Sequence, residues 1–203
     1  MNDDLPSWHA SGVRRGSEAA NWERTGLSAR IYEGEARMGF FTRDIKTIDD
    51  LFVHGLRDIY YAEHQIMQSL PDMIENAHDP QLKQRLHAHL GETINHIDRL
   101  EDVFSLYGAD PRHLNCPAID GIIAEAADVT GEADAQAIDA AIVMAAQALE
   151  HYEITRYGSL IAWAKRLDRD DCAAILEQSL QEEQAADQRL VELAERDANL
   201  RAA

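Results

Sequence analysis

Acidic side chains and histidines interrupt the hydrophobic positions of four helix-length blocks of the chain. Within each block the apolar residues recur at steps of three and four, which is typical of one face of a long helix. Carboxylates that face the core of a helix bundle are costly to bury unless a cation meets them. Acids at matching depth on four helices are the ligand arrangement of a dimetal site. The candidate ligands are, in chain order, Glu63, Glu92, His96, Glu150, Glu153, Glu183 and Asp187.

The spacing of these residues lets neighbours on one helix reach the same ion. Glu92 and His96 are four residues apart, and so are Glu183 and Asp187. Residues four apart lie on nearly the same face of a helix, with Cβ atoms about 6 Å apart. A set of carboxylate oxygens with one imidazole suits iron(II) or manganese(II), with zinc as a further alternative. We therefore predict a site for two divalent ions, with iron favoured, held about 3.5–4 Å apart by bridging glutamates.

The third block leaves its ligand undecided. Glu150 and Glu153 are three residues apart, so either or both can face the site. Arg156 follows Glu153 by three residues and offers an ordinary ion pair instead. His89 shares a face with the acid and histidine of the second block, and we expect it to support a ligand rather than bind metal itself.

A second interpretation of the acids stays open. Each acid, taken alone, is explained by solvation or by an ion pair, and the protein is then a non-enzymatic helical bundle with a structural or partner-binding role. Acids at similar depth in all four blocks favour the metal site. No nucleophile motif supports a hydrolase that uses these carboxylates as acid and base. The pattern identifies no catalytic residue and leaves open whether the protein is an enzyme.

Helix signals position the first two blocks. The run Thr47-Ile-Asp-Asp50 resembles a capping box with Asp in place of Glu, so the first helix is predicted to start near Thr47. Pro71 is predicted to kink its last turns or to end it early. Asp79-Pro80 is an N-cap followed by Pro at the first helical position, and Gly108 is a stop signal for this second helix.

The second half of the chain repeats this pattern after a long connection. Residues 108–133 lose the long period and contain one short helix, predicted over 118–127. Two further helices are predicted, over 134–167 and from about Asp170 onward. A connection of this length is typical of a crossover along a bundle, because adjacent antiparallel helices need only about 2–8 linking residues. The sequence thus predicts an all-α four-helix bundle made of two antiparallel hairpins.

Composition narrows the classes of function and compartment. The 203 residues include 19 basic and 37 acidic ones, a formal charge of −18 that disfavours binding to nucleic acid or to anionic membrane surfaces. No apolar run approaches the ~18 residues of a membrane span, and no signal peptide opens the chain, so the cytoplasm is the expected compartment. Cys116 and Cys172 are too few for a disulfide framework.

The first residues differ from the rest of the chain. Residues 1–37 show no sustained helical or strand period, and we expect a flexible tail there, followed by a folded domain over 38–203. The run that follows the tail opens with Met38. The tail is therefore either a genuine extension or the result of a start codon assigned too far upstream.

Four segments of the chain closely resemble the ferritin-like YciE/YciF stress-protein family. In order they are FFTRDIKTIDDLFVHGLRDIYYAEHQIMQSLPDM, HLGETINHIDRLEDVF, ALEHYEITRYGSLIAWA and LEQSLQEEQAADQRLVELA. The resemblance covers about residues 38–195. It implies a ferritin-like four-helix bundle that forms a homodimer, with a dimetal centre and a bacterial role in stress response. The resemblance does not identify a reaction. Our hypothesis for the activity is sequestration of iron, or reaction with peroxide or oxygen.

The chain departs from the wider ferritin-like pattern in its ligand spacing. That pattern pairs Glu with a His three residues later on two helices. Here the spacing from Glu92 to His96 is four, and Asp187 stands where a second His is expected. The predicted site is therefore richer in oxygen and more negative than the common one.

Overall fold

The structure, a computed structural model, describes residues 45–112 and 114–201, without the side chains of 197–201. The tail predicted over 1–37 and the first residues of the domain predicted over 38–203 lie outside this part of the chain. Every regular element described is an α-helix, and no strand occurs within these residues. In chain order the helices are α1 (Ile48–Asn76), α2 (Pro80–Tyr107), α3 (Pro117–Glu132), α4 (Ile138–Arg166) and α5 (Asp170–Arg201). None of the described helices is long and apolar enough to cross a membrane.

The predicted capping signals of the first two helices are confirmed. The Thr47 hydroxyl accepts a hydrogen bond from the Asp50 backbone N–H at 3.0 Å, and the Asp50 carboxylate accepts one from the Thr47 N–H at 3.1 Å. Asp79 caps α2 by accepting from the first backbone N–H groups of that helix. Gly108 ends α2 with φ of 77°, a left-handed conformation that costs glycine little.

The structure decides one open alternative and corrects two predicted boundaries. Helix α1 continues for five residues beyond Pro71, so the proline does not end it early. Helix α3 extends to Glu132, beyond the apolar block over 118–127 that suggested it. Helix α4 begins at Ile138 rather than at Asp134, because the Asp134 carboxylate accepts hydrogen bonds from the two N–H groups at 136 and 137 and holds a turn there.

Helices α1 and α2 form an antiparallel hairpin. Asp49, near the start of α1, accepts a hydrogen bond from Tyr107, the last residue of α2. Tyr60, farther along α1, donates a hydrogen bond at 2.8 Å to Glu101, which lies earlier in α2 than Tyr107. Contacts that run in opposite directions along the two helices require antiparallel axes.

Helices α4 and α5 form a second antiparallel hairpin. Lys165 near the end of α4 donates to Glu177 near the start of α5 at 2.6 Å, and His151 earlier in α4 pairs with Asp187 later in α5. The two hairpins pack together, with α1 against α4 and α2 against α5, so that the contacts of the four long helices form a closed ring. Helix α3 lies in the connection between the hairpins and packs on α4 and α1.

The apolar face predicted for α1 lies in the core. The residues that the steps of four and three place on this face are all buried, namely Phe52, Leu56, Ile59, Glu63, Ile66, Leu70 and Met73. Gly55 lets α4 come close to this helix, because a Cβ there would meet Leu160 Cδ2 at 3.1 Å and Trp163 Cζ3 at 3.2 Å. The buried face therefore carries Glu63 into the interior along with its apolar neighbours.

The buried face of α5 differs from the one predicted. Steps of four and three in the sequence predict a buried face through Leu176, Leu180, Glu183, Asp187, Leu190 and Ala194. The buried positions after Glu183 are instead Ala186, Leu190 and Leu193. Ala194 is exposed, so its predicted burial is wrong. Leu176, Glu183 and Leu190 recur every seven residues, and the buried positions after the first two are Ser179 and Ala186, three residues on, rather than Leu180 and Asp187, four residues on.

Candidate metal centre

Six ionisable side chains form a layer in the middle of the four long helices. Each of them is at most 5% exposed, although charged groups are rarely buried to this extent without a partner. Helix α1 and helix α5 contribute one residue each, and α2 and α4 contribute two each. The six residues are Glu63, His89, His96, Glu150, Glu153 and Glu183.

The layer divides into two groups that share one glutamate. In the first group, one ligand atom from each of Glu63, His96 and Glu183 lies within 4.8 Å of the others. In the second, the same limit holds for one atom from each of His89, Glu150, Glu153 and Glu183. Two neighbouring groups with a common carboxylate are the geometry that a pair of bridged cations requires. We call these the His96 group and the His89 group.

The imidazole of His96 is fixed in place by acids on both of its nitrogens. Nε2 lies 2.8 Å from Glu182 Oε2, and Nδ1 lies 2.8 Å from Glu183 Oε1 and 3.4 Å from Glu63 Oε1. Glu182 is held in turn by Arg99, whose two terminal nitrogens donate to its two oxygens at 2.6 and 2.9 Å. A carboxylate on the far nitrogen fixes the ring orientation and turns the other nitrogen toward the site.

Glu63 is fixed by a buried tyrosine. The Tyr157 hydroxyl donates a hydrogen bond to Glu63 Oε1. The Tyr157 ring also stands edge-on to His96, with 6.0 Å between the ring centroids. Burial, together with the nearby acids, raises the pKa of Tyr157 well above its usual range, so this side chain remains a neutral donor.

His89 has no comparable support. Its Nε2 lies 3.5 Å from Glu150 Oε1, and its Nδ1 lies 3.9 Å from both Glu183 Oε2 and Glu92 Oε2. Neither ring nitrogen makes a hydrogen bond within the described part of the chain. His89 thus offers two buried and unused ligand atoms.

The protonation states of the layer follow from burial and from its own charges. Burial by itself would lower the pKa of His96, but the adjoining carboxylates of Glu183 and Glu63 raise it to about 11. Burial raises the pKa of Glu150 to about 11, and the charges of Glu183 and Asp187 add to the effect. Without a bound cation, His96 is therefore charged and Glu150 is protonated at neutral pH.

The remaining two glutamates of the layer respond in opposite directions. Burial and the charges of Glu183 and Glu63 raise the pKa of Glu153 well above its usual value. Burial also opposes ionisation of Glu183, but the contacts of Glu183 with His96 and Glu150 lower its pKa below the usual value. Glu183 is thus the residue that carries negative charge between the two groups.

The buried side-chain atoms that lack a hydrogen-bond partner are concentrated in this one place. Among the described residues there are ten such atoms, and all belong to the six residues of the layer and to Asp187. A folded protein satisfies most buried polar groups, because each unsatisfied one costs about 1–3 kcal/mol. Carboxylate oxygens and imidazole nitrogens that converge without partners fit divalent cations, which take both donor types.

Two of the predicted ligands lie outside both groups. Glu92 has a 25% exposed side chain, and its two oxygens accept hydrogen bonds from Arg189 at 3.3 and 3.1 Å. Asp187 has a 20% exposed side chain, and its Oδ2 lies 3.2 Å from Nε2 of the exposed His151. The structure therefore brings together Glu63, His96, Glu150, Glu153 and Glu183 of the predicted set, with Glu92 and Asp187 at the edge.

Three residues of the site were not predicted as members by the sequence pattern. His89 was expected only to support a ligand, yet it lies on the same buried face as Thr93 and His96, and this periodicity could have indicated it. Glu182 precedes Glu183 in an acidic run that resembles a solvated surface. Tyr157 is one of several tyrosines near the acids in the sequence, for which aromatic packing is the ordinary role.

Comparison with known proteins identifies relatives over most of the chain. Residues 47–203 match the family model described as a domain of unknown function, DUF892. Protein YciF of Escherichia coli strain K12 is 37% identical over 161 residues, which are 78% of this chain and 97% of YciF. Both findings agree with the resemblance carried by the sequence segments.

Two solved structures share the fold at high identity. YcfI from Rhodopseudomonas palustris, which is described as a structural protein, is 56% identical with a TM-score of 0.72, over 74% of this chain and 97% of that chain. The E. coli stress protein YciF has a TM-score of 0.73 at 37% identity, over 76% of this chain and 99% of that chain. The chain belongs to the DUF892 family, and YciF is one of its relatives.

Proposed function

We propose that this protein is a ferritin-like four-helix bundle that holds two divalent metal ions in the layer of six ionisable residues. The observation that carries the proposal is that nine of the ten unpartnered buried polar atoms of the described chain belong to this layer, and the tenth belongs to Asp187 at its edge. Buried acids without partners are strongly destabilising, and bound cations offset that cost. The ring of antiparallel contacts among α1, α2, α4 and α5 supports the ferritin-like architecture.

The donor set favours iron, with manganese and zinc as alternatives. The His96 group offers two carboxylates and one imidazole, and the His89 group offers three carboxylates and one imidazole, with Glu183 common to both. Carboxylates suit hard ions and imidazole suits iron and zinc, so the mixed set fits iron(II) best. No cysteine belongs to either group, which disfavours soft ions.

Neighbouring residues orient the ligands and shield the site from water, which suits a redox-active metal ion. Tyr157 holds one oxygen of Glu63, and Glu182 holds the outer nitrogen of His96, so two ligands are oriented before any ion arrives. Burial of all six residues excludes water and strengthens the interaction between the acids and a cation. Bound iron in such a site would supply electron exchange with a small oxidant.

The size of the space beside the site supports a small reactant. A void of about 10 Å³ touches His89 and Glu150, which is about the space that one water molecule needs. Dioxygen and peroxide are of that scale. We therefore propose reaction with peroxide or oxygen, or sequestration of iron, in a bacterial stress response, the role named for the relative YciF.

A structural role is the second candidate. It is favoured by the position of His96, which as an imidazolium compensates Glu182 and Glu183 without any metal. It also agrees with the description of the relative YcfI as a structural protein. His89 and Glu153 argue against it as the whole explanation, because their side-chain polar atoms have no hydrogen-bond partner within the described residues.

Anaerobic titration with iron(II), followed by exposure to air, tests the metal proposal. We expect about two iron ions per chain, and an absorption band of oxo-bridged iron after air is admitted. The double variant Glu63→Ala/His96→Ala should lose binding, whereas Asp102→Asn, which removes an exposed acid of α2, should bind like wild type. Full binding by the double variant would contradict the proposal.

Assembly and compartment are further parts of the proposal. We propose a homodimer, as the family resemblance implies, and a cytoplasmic location, as the sequence composition suggests. Sedimentation equilibrium should give twice the mass of the 22.8 kDa chain. A monomer at all micromolar concentrations would contradict the dimer and leave the metal site as proposed.

A further inference from the structure

One side of the buried layer meets a small opening between α2, α4 and α5. The void of about 10 Å³ is lined by His89 and Glu150 on the inside and by Arg85 and Arg189 on the outside. His89 is 5% exposed, and neither of its ring nitrogens has a hydrogen-bond partner in the described structure. Two buried ligand atoms therefore lie directly beneath this opening.

The two predicted ligands that remain outside the groups interact with residues that line this opening. Glu92 lies 3.9 Å from Nδ1 of His89 and is held by Arg189. Asp187 is close enough to Glu150 to raise its pKa, and its Oδ1 is buried without a partner. Each carboxylate thus lies between the buried layer and a basic residue nearer the surface, which is Arg189 for Glu92 and His151 for Asp187.

We propose, on the basis of the proposed function, that divalent cations enter the site through this opening. Glu92 and Asp187 bind the cations first, and the Arg189–Glu92 ion pair keeps the opening closed in their absence. An incoming cation competes with Arg189 for the same two carboxylate oxygens. Release of Arg189 leaves Glu92 free to turn toward His89, which is one helical turn away on the same helix. Opening therefore requires the exchange of one cationic partner for another.

The opposite side of the layer is built to stay closed. There the outer nitrogen of His96 is bonded to Glu182 at 2.8 Å, and Glu182 is held by two hydrogen bonds from Arg99. An ion that entered on that side would have to break all three bonds and displace the ring. On the side of His89, only the hydrogen bonds between Arg189 and one glutamate must break.

Association kinetics with zinc(II) test this inference. Metal-free full-length protein is mixed with zinc(II) in a stopped-flow instrument, and the loss of free zinc is followed with a chromogenic zinc indicator. The variant Glu183→Gln, which lacks the shared ligand, gives the baseline for zinc bound by surface acids. We expect Arg189→Gln to raise the association rate constant about tenfold, and Glu92→Gln and Asp187→Asn each to lower it about tenfold.

A matched control separates the ion pair from general electrostatics. Arg85 lines the same opening, so Arg85→Gln removes an equal charge without releasing Glu92. Its rate constant should stay within about twofold of wild type. An equal acceleration by Arg85→Gln and Arg189→Gln would overturn the proposed closing role of the ion pair.

The remaining outcomes also decide the matter. Unchanged rates in the Arg189, Glu92 and Asp187 variants, or slower association only in Glu182→Gln, would place the entrance elsewhere and overturn the inference while the proposed function stands. Absence of zinc binding by wild type above the Glu183→Gln baseline would overturn the proposed function, and this inference with it.

Discussion

The two histidines of α2 lie seven residues apart, about two turns, and occupy opposite kinds of environment. His96 has a carboxylate near each nitrogen, and an arginine holds the outer one of these acids. His89 has acids at 3.5–3.9 Å and no hydrogen bond to either nitrogen in the described chain. The His96 group is thus oriented by Glu182 and Tyr157, whereas no hydrogen bond within the described residues orients the His89 ring. The difference suggests that one half of the site is a fixed ligand set and the other half admits the ions.

The largest effect should come from the residue that joins the two groups. Glu183→Gln removes the one carboxylate shared by both, so we expect bound ions to fall from two per chain toward none, with an affinity loss of more than about 100-fold. The matched control is Glu192→Gln, an exposed acid of the same helix, which should bind as wild type does. Equilibrium dialysis with metal analysis makes the measurement, and two ions retained in Glu183→Gln would refute the shared-ligand arrangement.

Replacing each histidine in metal-free protein separates the halves next. His96→Gln removes a buried cation and leaves the surrounding acids uncompensated, so the free energy of unfolding should drop by about 3 kcal/mol. His89→Gln breaks no hydrogen bond within the described structure and should cost less than about 1 kcal/mol. Urea unfolding in the presence of a chelator measures both values. Equal losses in the two variants would remove the distinction between the halves.

The stability of the metal-free protein should fall as pH rises. Burial raises the pKa of Glu150 from 4.5 to about 11, and the adjoining carboxylates hold the pKa of His96 at about 11 against the opposing effect of burial. The folded state then binds more protons than the unfolded state, from about pH 4.5 upward for Glu150 and from about pH 6.5 upward for His96. The stability from each group is complete below these values and is lost progressively toward pH 11, because the folded state then gives up the extra proton.

Two variants show which residue causes each part of the pH dependence of the unfolding free energy. Glu150→Gln should remove the part that begins near pH 5, and His96→Gln should remove the part that begins above pH 6.5. Bound zinc should flatten the slope, because ligands that hold a cation have already released their protons. Urea unfolding from pH 5 to pH 9 gives the data. A rise of stability over this range in metal-free wild type would contradict these protonation states.

The smallest effect concerns the helix turn that carries His89. Gly91 is exposed within α2, and a Cβ built there has no atom within 4 Å, so Gly91→Ala should stabilise the protein by about 0.5–1 kcal/mol. The substitution stabilises the helix but gives His89 no hydrogen-bond partner. We therefore expect the zinc association rate constant to stay unchanged. Gly55→Ala is the contrasting variant, since close contact with Leu160 and Trp163 should cancel its gain. A slower association in Gly91→Ala would show that local helix flexibility matters.

Local signals predicted much of this fold. The capping box at Thr47, the Asp79-Pro80 start and the Gly108 end are interactions between residues close in sequence, so they can be found without a structure. The apolar period of α1 likewise indicated the burial of Glu63. The start of α4 was harder to predict, because it depends on a turn in which the Asp134 carboxylate accepts backbone hydrogen bonds.

The site was predicted less completely because it depends on exact helical phase and on distant contacts. Five of the seven proposed ligands come together, but the pattern placed Asp187, four residues after Glu183, on the buried face, whereas the buried position is Ala186, three residues after it. Glu92 lies one residue before the buried Thr93, and His89 occupies the inward position instead. The contact between His96 and Glu182 joins residues 86 apart in sequence, which no local pattern reveals.

The central claim is that the layer between the two hairpins binds two divalent ions. Its most direct test is anomalous diffraction from crystals grown anaerobically with iron(II), with data collected on both sides of the iron absorption edge. We expect two anomalous peaks per chain, one among Glu63, His96 and Glu183 and the other among His89, Glu150, Glu153 and Glu183. Crystals with iron only at surface acids, and with the buried carboxylates hydrogen-bonded to one another or to water, would contradict the account.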